Sequence, residues 1–364
     1  MNRDELQEAA AKRLFHSKRL ICMWATGCGK SRIALRFLEA HPEFRCLILV
    51  PEQDNIKNWL DEFDKFGIPS INVTIICYAS LHKYKGTSWD VVVFDEVPHV
   101  DTEKRTAICK ALKGDYILAL GAVVTEEERQ TLEQVYGKFD MSIVSLSRAI
   151  SLGLLPAPLV NVLHLQLDDN AKIYWYKGAT YTDKGYYQIL TNLVDKAVSA
   201  FNANPNNKFL KMRMLRAGNE RKRFLGSRKD QAILRICQEL DKKGKRYICF
   251  CSSIKQAEAL GGNNAYTSKS PKSMEHLRRF NNHEINSLFV VGKLIEGQNL
   301  NDIECGIIGQ LGGTQRITVQ ELGRVFRSKK PVVYIPVFDE SKDNSFLYTL
   351  TSSIPEEYIK HYNF

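Results

Sequence analysis

No run of 18 apolar residues occurs in this sequence, and no charged-then-apolar segment opens it, so neither membrane insertion nor secretion is expected. The nine cysteines include no CxxC pair, which removes the usual spacing of a zinc site and of a small disulfide framework. Several of them (Cys22, Cys46, Cys77, Cys249 and Cys251) lie inside apolar, strand-like runs. They are expected to be buried, reduced thiols of a cytoplasmic protein, with no zinc bound. There is no fixed-period repeat and no low-complexity tract.

What remains is ordinary in composition and uneven in charge. At 364 residues, 44% hydrophobic and 25% charged, the chain is long enough for two domains with real cores. The net charge is +10, and most of it is concentrated. Between Lys208 and Lys229 stand nine basic residues and one acid, Glu220, for a net +8. A polyanion touching this segment is more plausible than a generally sticky surface, although a solvated helix face would look the same. Arg213, Arg221, Lys222, Arg223 and Lys229 are the candidate contacts.

The chain is organised around Leu20–Ser31. An apolar run from Leu20 to Trp24 leads into Ala25-Thr26-Gly27-Cys28-Gly29-Lys30-Ser31, followed by a helical pattern with Ile33, Ala34, Phe37 and Leu38 on one face. Strand, glycine loop and helix are the setting of a phosphate loop. The glycines let backbone N–H groups converge, and the helix N-terminus adds its positive dipole end. Lys30 would reach the β- and γ-phosphates, and the Ser31 hydroxyl would hold Mg2+. Trp24 stands where the strict pattern wants glycine, so the loop by itself could also be a plain turn.

Buried strands are expected at Cys46–Val50, Val73–Cys77, Asp90–Phe94 and Tyr116–Leu120, separated by helical patterns, which argues for a parallel sheet covered on both faces. A tyrosine-rich helical stretch follows from Leu163 to Asn207. Its rings are better placed for packing between helices than for stacking on bases. Strand rhythm resumes at Tyr247–Cys251, Leu288–Val291, Cys305–Gly309 and Val332–Val337, as a second α/β unit. The expected division is 1–160, a helical, basic connector 161–230, and 231–364.

Two further elements carry chemistry. Asp95 and Glu96 end the fourth strand, 65 residues beyond Lys30. There Asp95 would anchor the metal through water, and Glu96 would orient or deprotonate an attacking water. Far downstream, Gln320, Gly323, Arg324 and Arg327 follow i, i+3, i+4, i+7 and share a helix side. Guanidinium groups there suit a γ-phosphate in its transition state.

Together these pieces resemble superfamily 2 helicases and translocases, in order and in separation. ATGCGKS resembles motif I, DEVPH a DExxH motif II and QELGRVFR motif VI, Q-x-x-G-R-x-x-R. CLILVP, ending at Pro51, is similar to motif Ia, LALGAVV sits where motif III belongs, RYICFCSSI matches motif IV, and VGKLIEGQNLNDI, with Gly297, looks like motif V. The resemblance covers roughly Met1–Pro158 and Arg221–Val337, and is greatest to the compact helicases of bacteria, phages and large DNA viruses. It implies two tandem RecA-like domains and ATP with Mg2+ as cofactors. ATP would lie in a cleft, with Thr26 to Ser31 and Asp95 on one side and Gln320, Arg324 and Arg327 on the other. It also implies that Gln7 reads adenine and that His99, Gly121 and Ala122 couple hydrolysis to movement.

The match departs from the family pattern in motif III, usually Ser-Ala-Thr, where Gly121-Ala122-Val123 lacks both hydroxyls. ATPase activity is therefore a safer expectation than strand separation. A second departure is Cys28, a thiol beside Lys30 and a helix N-terminus, expected to have some thiolate character and to block ATP binding when alkylated. DNA is favoured over RNA as the track. The alternatives are an RNA helicase, or an ATP-gated motor subunit that recruits a nuclease or replication partner, since no nuclease signature appears here. A phosphate-loop kinase or switch GTPase has no use for the Gln320–Arg327 pattern.

Overall fold

The computed structural model describes residues 2–97, 102–267, 272–291, 300, 302–311, 328–352 and 354–364. His99, Gly297, Gln320, Arg324 and Arg327 lie outside the described residues. By the density of backbone contacts the chain divides into two units, the first built on Met1–Ala157 and the second beginning at Pro158.

The first unit runs α1 (Arg3–Ser17), β1 (Arg19–Trp24), α2 (Ser31–Ala40), β2 (Cys46–Val50), α3 (Gln53–Phe66) and β3 (Val73–Cys77). It continues with β4 (Ser88–Asp95), α4 (Thr102–Lys110), β5 (Lys113–Gly121), α5 (Glu126–Tyr136), β6 (Asp140–Val144) and α6 (Leu146–Ser151). Its six strands form one parallel sheet in the order β3-β2-β4-β5-β1-β6. β2 is buried at every position, as a strand covered on both faces must be. The apolar runs predict β2 and β3 with these same bounds. β6 has no such run: its sequence, DMSIV, lies at the sheet edge with Ile143 47% exposed.

The second unit opens with β7 (Leu159–Leu165), a hairpin of β8 (Tyr174–Tyr176) and β9 (Ala179–Tyr181), and two 21-residue helices, α7 (Asp183–Ala203) and α8 (Lys208–Arg228). Then come α9 (Asp230–Lys242), β10 (Tyr247–Cys251), α10 (Ile254–Gly261), β11 (Ala265–Tyr266), α11 (Ser273–Asn281), β12 (Ser287–Val291) and β13 (Cys305–Ile308). β14 (Val332–Phe338), α12 (Asp343–Thr351) and β15 (Ile359–Asn363) complete it. The sheet order is β11-β12-β10-β13-β14-β7-β15, again parallel throughout.

β7 changes the expected domain division. Its apolar run is no part of a connector; it pairs with β14 along its whole length and with β15 on its other side. α7 and α8 lie within the second unit, where Tyr187 of α7 is buried in the core and Tyr186 of α7 and Tyr174 of β8 pack against it. Tyr174 stacks on Tyr186 at 4.8 Å, and both rings meet Phe224 edge-on.

Candidate nucleotide and nucleic-acid sites

In the first sheet, Met23 of β1 is in register with Gly121 of β5, and Leu120 of β5 with Asp95 of β4. The carboxyl ends of these three strands therefore finish side by side. The segments that follow them (Ala25–Ser31, Gly121–Ala122 and Asp95–Glu96) emerge on one edge, where open α/β sheets take their ligands. Pro51 extends β2 at that edge, half-buried.

The loop has the backbone a phosphate cradle requires. Gly27 and Gly29 adopt φ of 90° and 81°, the region that favours glycine. The Cys28 N–H closes a turn onto the Ala25 carbonyl at 3.2 Å. The N–H groups of Gly27, Gly29, Lys30 and Ser31 make no hydrogen bond to a described residue, and α2 starts at Ser31. Unpaired donors converging on a helix N-terminus are an anion site. Lys30 donates from Nζ to the Trp24 carbonyl at 3.3 Å.

Gln7 is 2% exposed and donates from Nε2 to the Gly29 carbonyl at 3.1 Å. It braces the loop from α1; a β-carbon at Gly29 would come within 2.5 Å of its Nε2. In this geometry Gln7 acts on the loop backbone.

Asp95 is held by a residue that the motif reading passes over. The Trp59 indole, on α3, donates to Asp95 Oδ2 at 2.7 Å. The Tyr78 hydroxyl lies 3.3 and 3.1 Å from the backbone carbonyls of Asp95 and Glu96. Burial and then the neighbouring Glu96 charge push the Asp95 carboxyl up to about 6, while the Trp59 hydrogen bond and Lys30 oppose them. Glu96 adopts φ of 51°, which a glutamate enters at a cost. Its Oε2 is buried with no hydrogen-bond partner among the described residues. Gly121 faces it, and a β-carbon there would lie 3.8 Å from Oε2. A buried tryptophan N–H needs an acceptor, and that was the sequence signal for Trp59.

Two expectations are overturned. Cys28 is buried, and burial pushes its thiol pKa up against the pull of Lys30 and Arg3, so desolvation outweighs the adjacent positive charge. All nine cysteines are free and buried. Lys229 is no nucleic-acid contact: it is fully buried at the end of α8, and its Nζ lies 2.7 Å from Asp343 Oδ2. The other candidates stay accessible on α8, Arg213 and Arg223 exposed, Arg221 and Lys222 half-buried.

Among the described residues no group of three or more histidine, cysteine or acidic side chains is placed to hold a metal, and no helix is long and apolar enough to cross a membrane.

A family model described as the type III restriction enzyme, res subunit, matches residues 1–77. A curated relative, the DNA 3'-5' translocase XPB2 of Sulfurisphaera tokodaii, is 23% identical over 361 residues, covering 89% of this chain and 78% of its own. The helicase domain of Pyrococcus furiosus Hef superposes with a TM-score of 0.55 at 13% identity, over 94% of this chain and 97% of that one. The type ISP restriction-modification enzyme LlaBIII, solved bound to DNA, gives a TM-score of 0.60 at 13% identity over all of this chain. This chain spans 31% of LlaBIII. The fold is thus that of tandem RecA-like helicase domains.

Proposed function

We propose that this chain, a superfamily 2 helicase or translocase, couples ATP hydrolysis to movement along DNA. The observation that carries the reading is the shared edge of the first sheet. There a loop with four N–H groups unpaired among the described residues, and a helix N-terminus, stand beside a half-buried carboxylate pair. Hydroxyl and carboxylate oxygens are the hard donors a magnesium ion takes, so Ser31 and Asp95 fit that ion. Asp95 lies half-buried beside a second carboxylate, so a cation there relieves repulsion.

Residue roles follow from that edge. Lys30 leaves the Trp24 carbonyl for the phosphates, and the N–H groups of Gly27, Gly29, Lys30 and Ser31 bind their oxygens. A magnesium ion held by Ser31 and Asp95 would supply charge neutralisation to the phosphates. Glu96, with one oxygen unpartnered, orients or deprotonates the attacking water. Arg324 and Arg327, assigned from the Gln320–Arg327 pattern alone, stabilise transition-state charge.

DNA is the favoured track. The curated relative is named a DNA translocase, and the first half of α8 presents cations that form no ion pair with a described residue. Gly121-Ala122-Val123, without hydroxyls, favours a second reading for the output: a motor subunit that drives a partner, such as a nuclease or replication protein, without separating strands itself. ATP turnover measured with single-stranded, duplex and branched DNA and with RNA as competing stimulants tests the main reading. DNA is expected to stimulate most, and turnover indifferent to every polynucleotide would refute it. Strand-displacement assays then separate unwinding from movement alone.

A further inference from the structure

The inward side of α8 is fixed by Phe224 and Leu225, which join Leu165, Tyr187, Leu190 and Phe338 in one buried cluster. The opposite side of its first half is open. Phe209 is 73% exposed, Met212 64% and Leu215 47%. Interleaved with them are Lys208, Lys211, Arg213 and Arg216, all exposed. None of these four cations forms an ion pair with a described residue, whereas Arg13, Arg129, Lys184 and Lys245 each lie against a carboxylate. Phe209, Met212, Arg216 and Arg223 are spaced i, i+3, i+7 and i+14, so ring, thioether and guanidinium groups share one face.

A partner for that face must offer negative charge and flat apolar surface within the same few ångströms. Duplex nucleic acid offers the charge but hides its base faces inside the stack. An unpaired strand offers both, with phosphates on one side of each nucleotide and an open π-face on the other. We propose that the outer face of the first half of α8 docks unpaired nucleic acid. Phe209 stacks on a base, Met212 and Leu215 pack beside it, and Lys208, Lys211, Arg213 and Arg216 neutralise flanking phosphates. This rests on the nucleic-acid reading above and adds the form of strand that is held.

The test uses the full chain and fluorescence anisotropy with two probes, a labelled oligothymidylate and a blunt DNA duplex of equal length, over a salt series. In Phe209→Ser/Met212→Ser the oligothymidylate affinity should fall about five- to a hundred-fold. Duplex affinity and both salt slopes should stay put. Lys211→Gln/Arg216→Gln should weaken both probes and reduce each slope by between about one and two. These side chains are exposed, so an unchanged melting curve certifies the fold of each variant. An equal loss on both probes in the Phe209/Met212 variant, or no loss on the single strand, overturns the proposal. If the parent chain binds both probes and that variant binds like it, only the α8 assignment fails, and the apolar stripe passes to a protein partner. A parent chain that binds neither probe brings down the nucleic-acid reading and this inference with it.

Discussion

The Trp59 indole N–H and the Asp95 carboxylate, 36 residues apart in sequence, meet at 2.7 Å beneath the edge where the phosphate loop emerges. A hydrogen bond to a charged group is worth about 1.5–3 kcal/mol, and here it engages Oδ2 of the carboxylate. Trp59→Phe keeps the ring and removes the donor. Turnover is expected to fall about tenfold or more, with a higher magnesium requirement and little change in metal-free nucleotide binding. Titrating magnesium chloride at fixed ATP checks it; an unchanged midpoint would deny Trp59 this role.

Lys30 and Glu96 should separate binding from chemistry. Lys30→Ala is expected to abolish nucleotide binding or nearly so, since Lys30 is the only cation in the Ala25–Ser31 sequence. Glu96→Gln should bind nucleotide normally and lose turnover, trapping an ATP-bound state. Equilibrium binding of a fluorescent ATP analogue, read beside steady-state hydrolysis, distinguishes the two.

For Arg327 the expectation comes from sequence spacing. Arg327→Ala should cost about a thousandfold in turnover with little loss of ATP affinity. Hydrolysis at the parent rate would end its assignment as an arginine finger.

Lys229 should behave as a core residue despite its charge. Lys229→Met strands the Asp343 carboxylate, which also accepts from Gln310 Nε2 at 3.1 Å and from the Phe338 N–H at 3.3 Å. The cost should be about 3–5 kcal/mol in urea unfolding. DNA affinity of the folded fraction should not change.

Cys28 should resist alkylation. With its thiol buried and its pKa raised, iodoacetamide should modify it far more slowly than a free cysteine at neutral pH. The rate should climb as pH passes above the ordinary thiol range, because only there does thiolate accumulate. Mass spectrometry of the peptide holding Cys28 follows this; rapid labelling near pH 7 would contradict the burial.

What could be read from sequence depended on whether neighbours in the chain were also neighbours in space. β2 and β3 are continuous apolar runs because both faces of their sheet are covered, and the pattern carries that directly. The strand, glycine loop and helix of Arg19–Ala40 are consecutive in the chain, and so were legible. β15, IKHYN, is exposed at nearly every position and leaves no apolar trace. β7 has the trace, yet its pairing partners lie at the far end of the chain. Lys229 looked like its basic neighbours, but its position at the end of α8 turns it inward onto Asp343, a partner that spacing cannot name. Cys28 shows the same limit: its charged neighbours are visible in the sequence, its desolvation is not.

The position of β7 also bears on how the protein is made. Every strand of the first sheet lies before residue 145, so that sheet can close while the rest of the chain is still on the ribosome. The second sheet must wait. β7 leaves the ribosome early but finds its lateral partners only when Val332–Phe338 and Ile359–Asn363 arrive. Meanwhile its unpaired ladder is open to other chains. Slow or interrupted synthesis should therefore harm the second unit far more than the first, and a chaperone binding β7 during that interval would protect it.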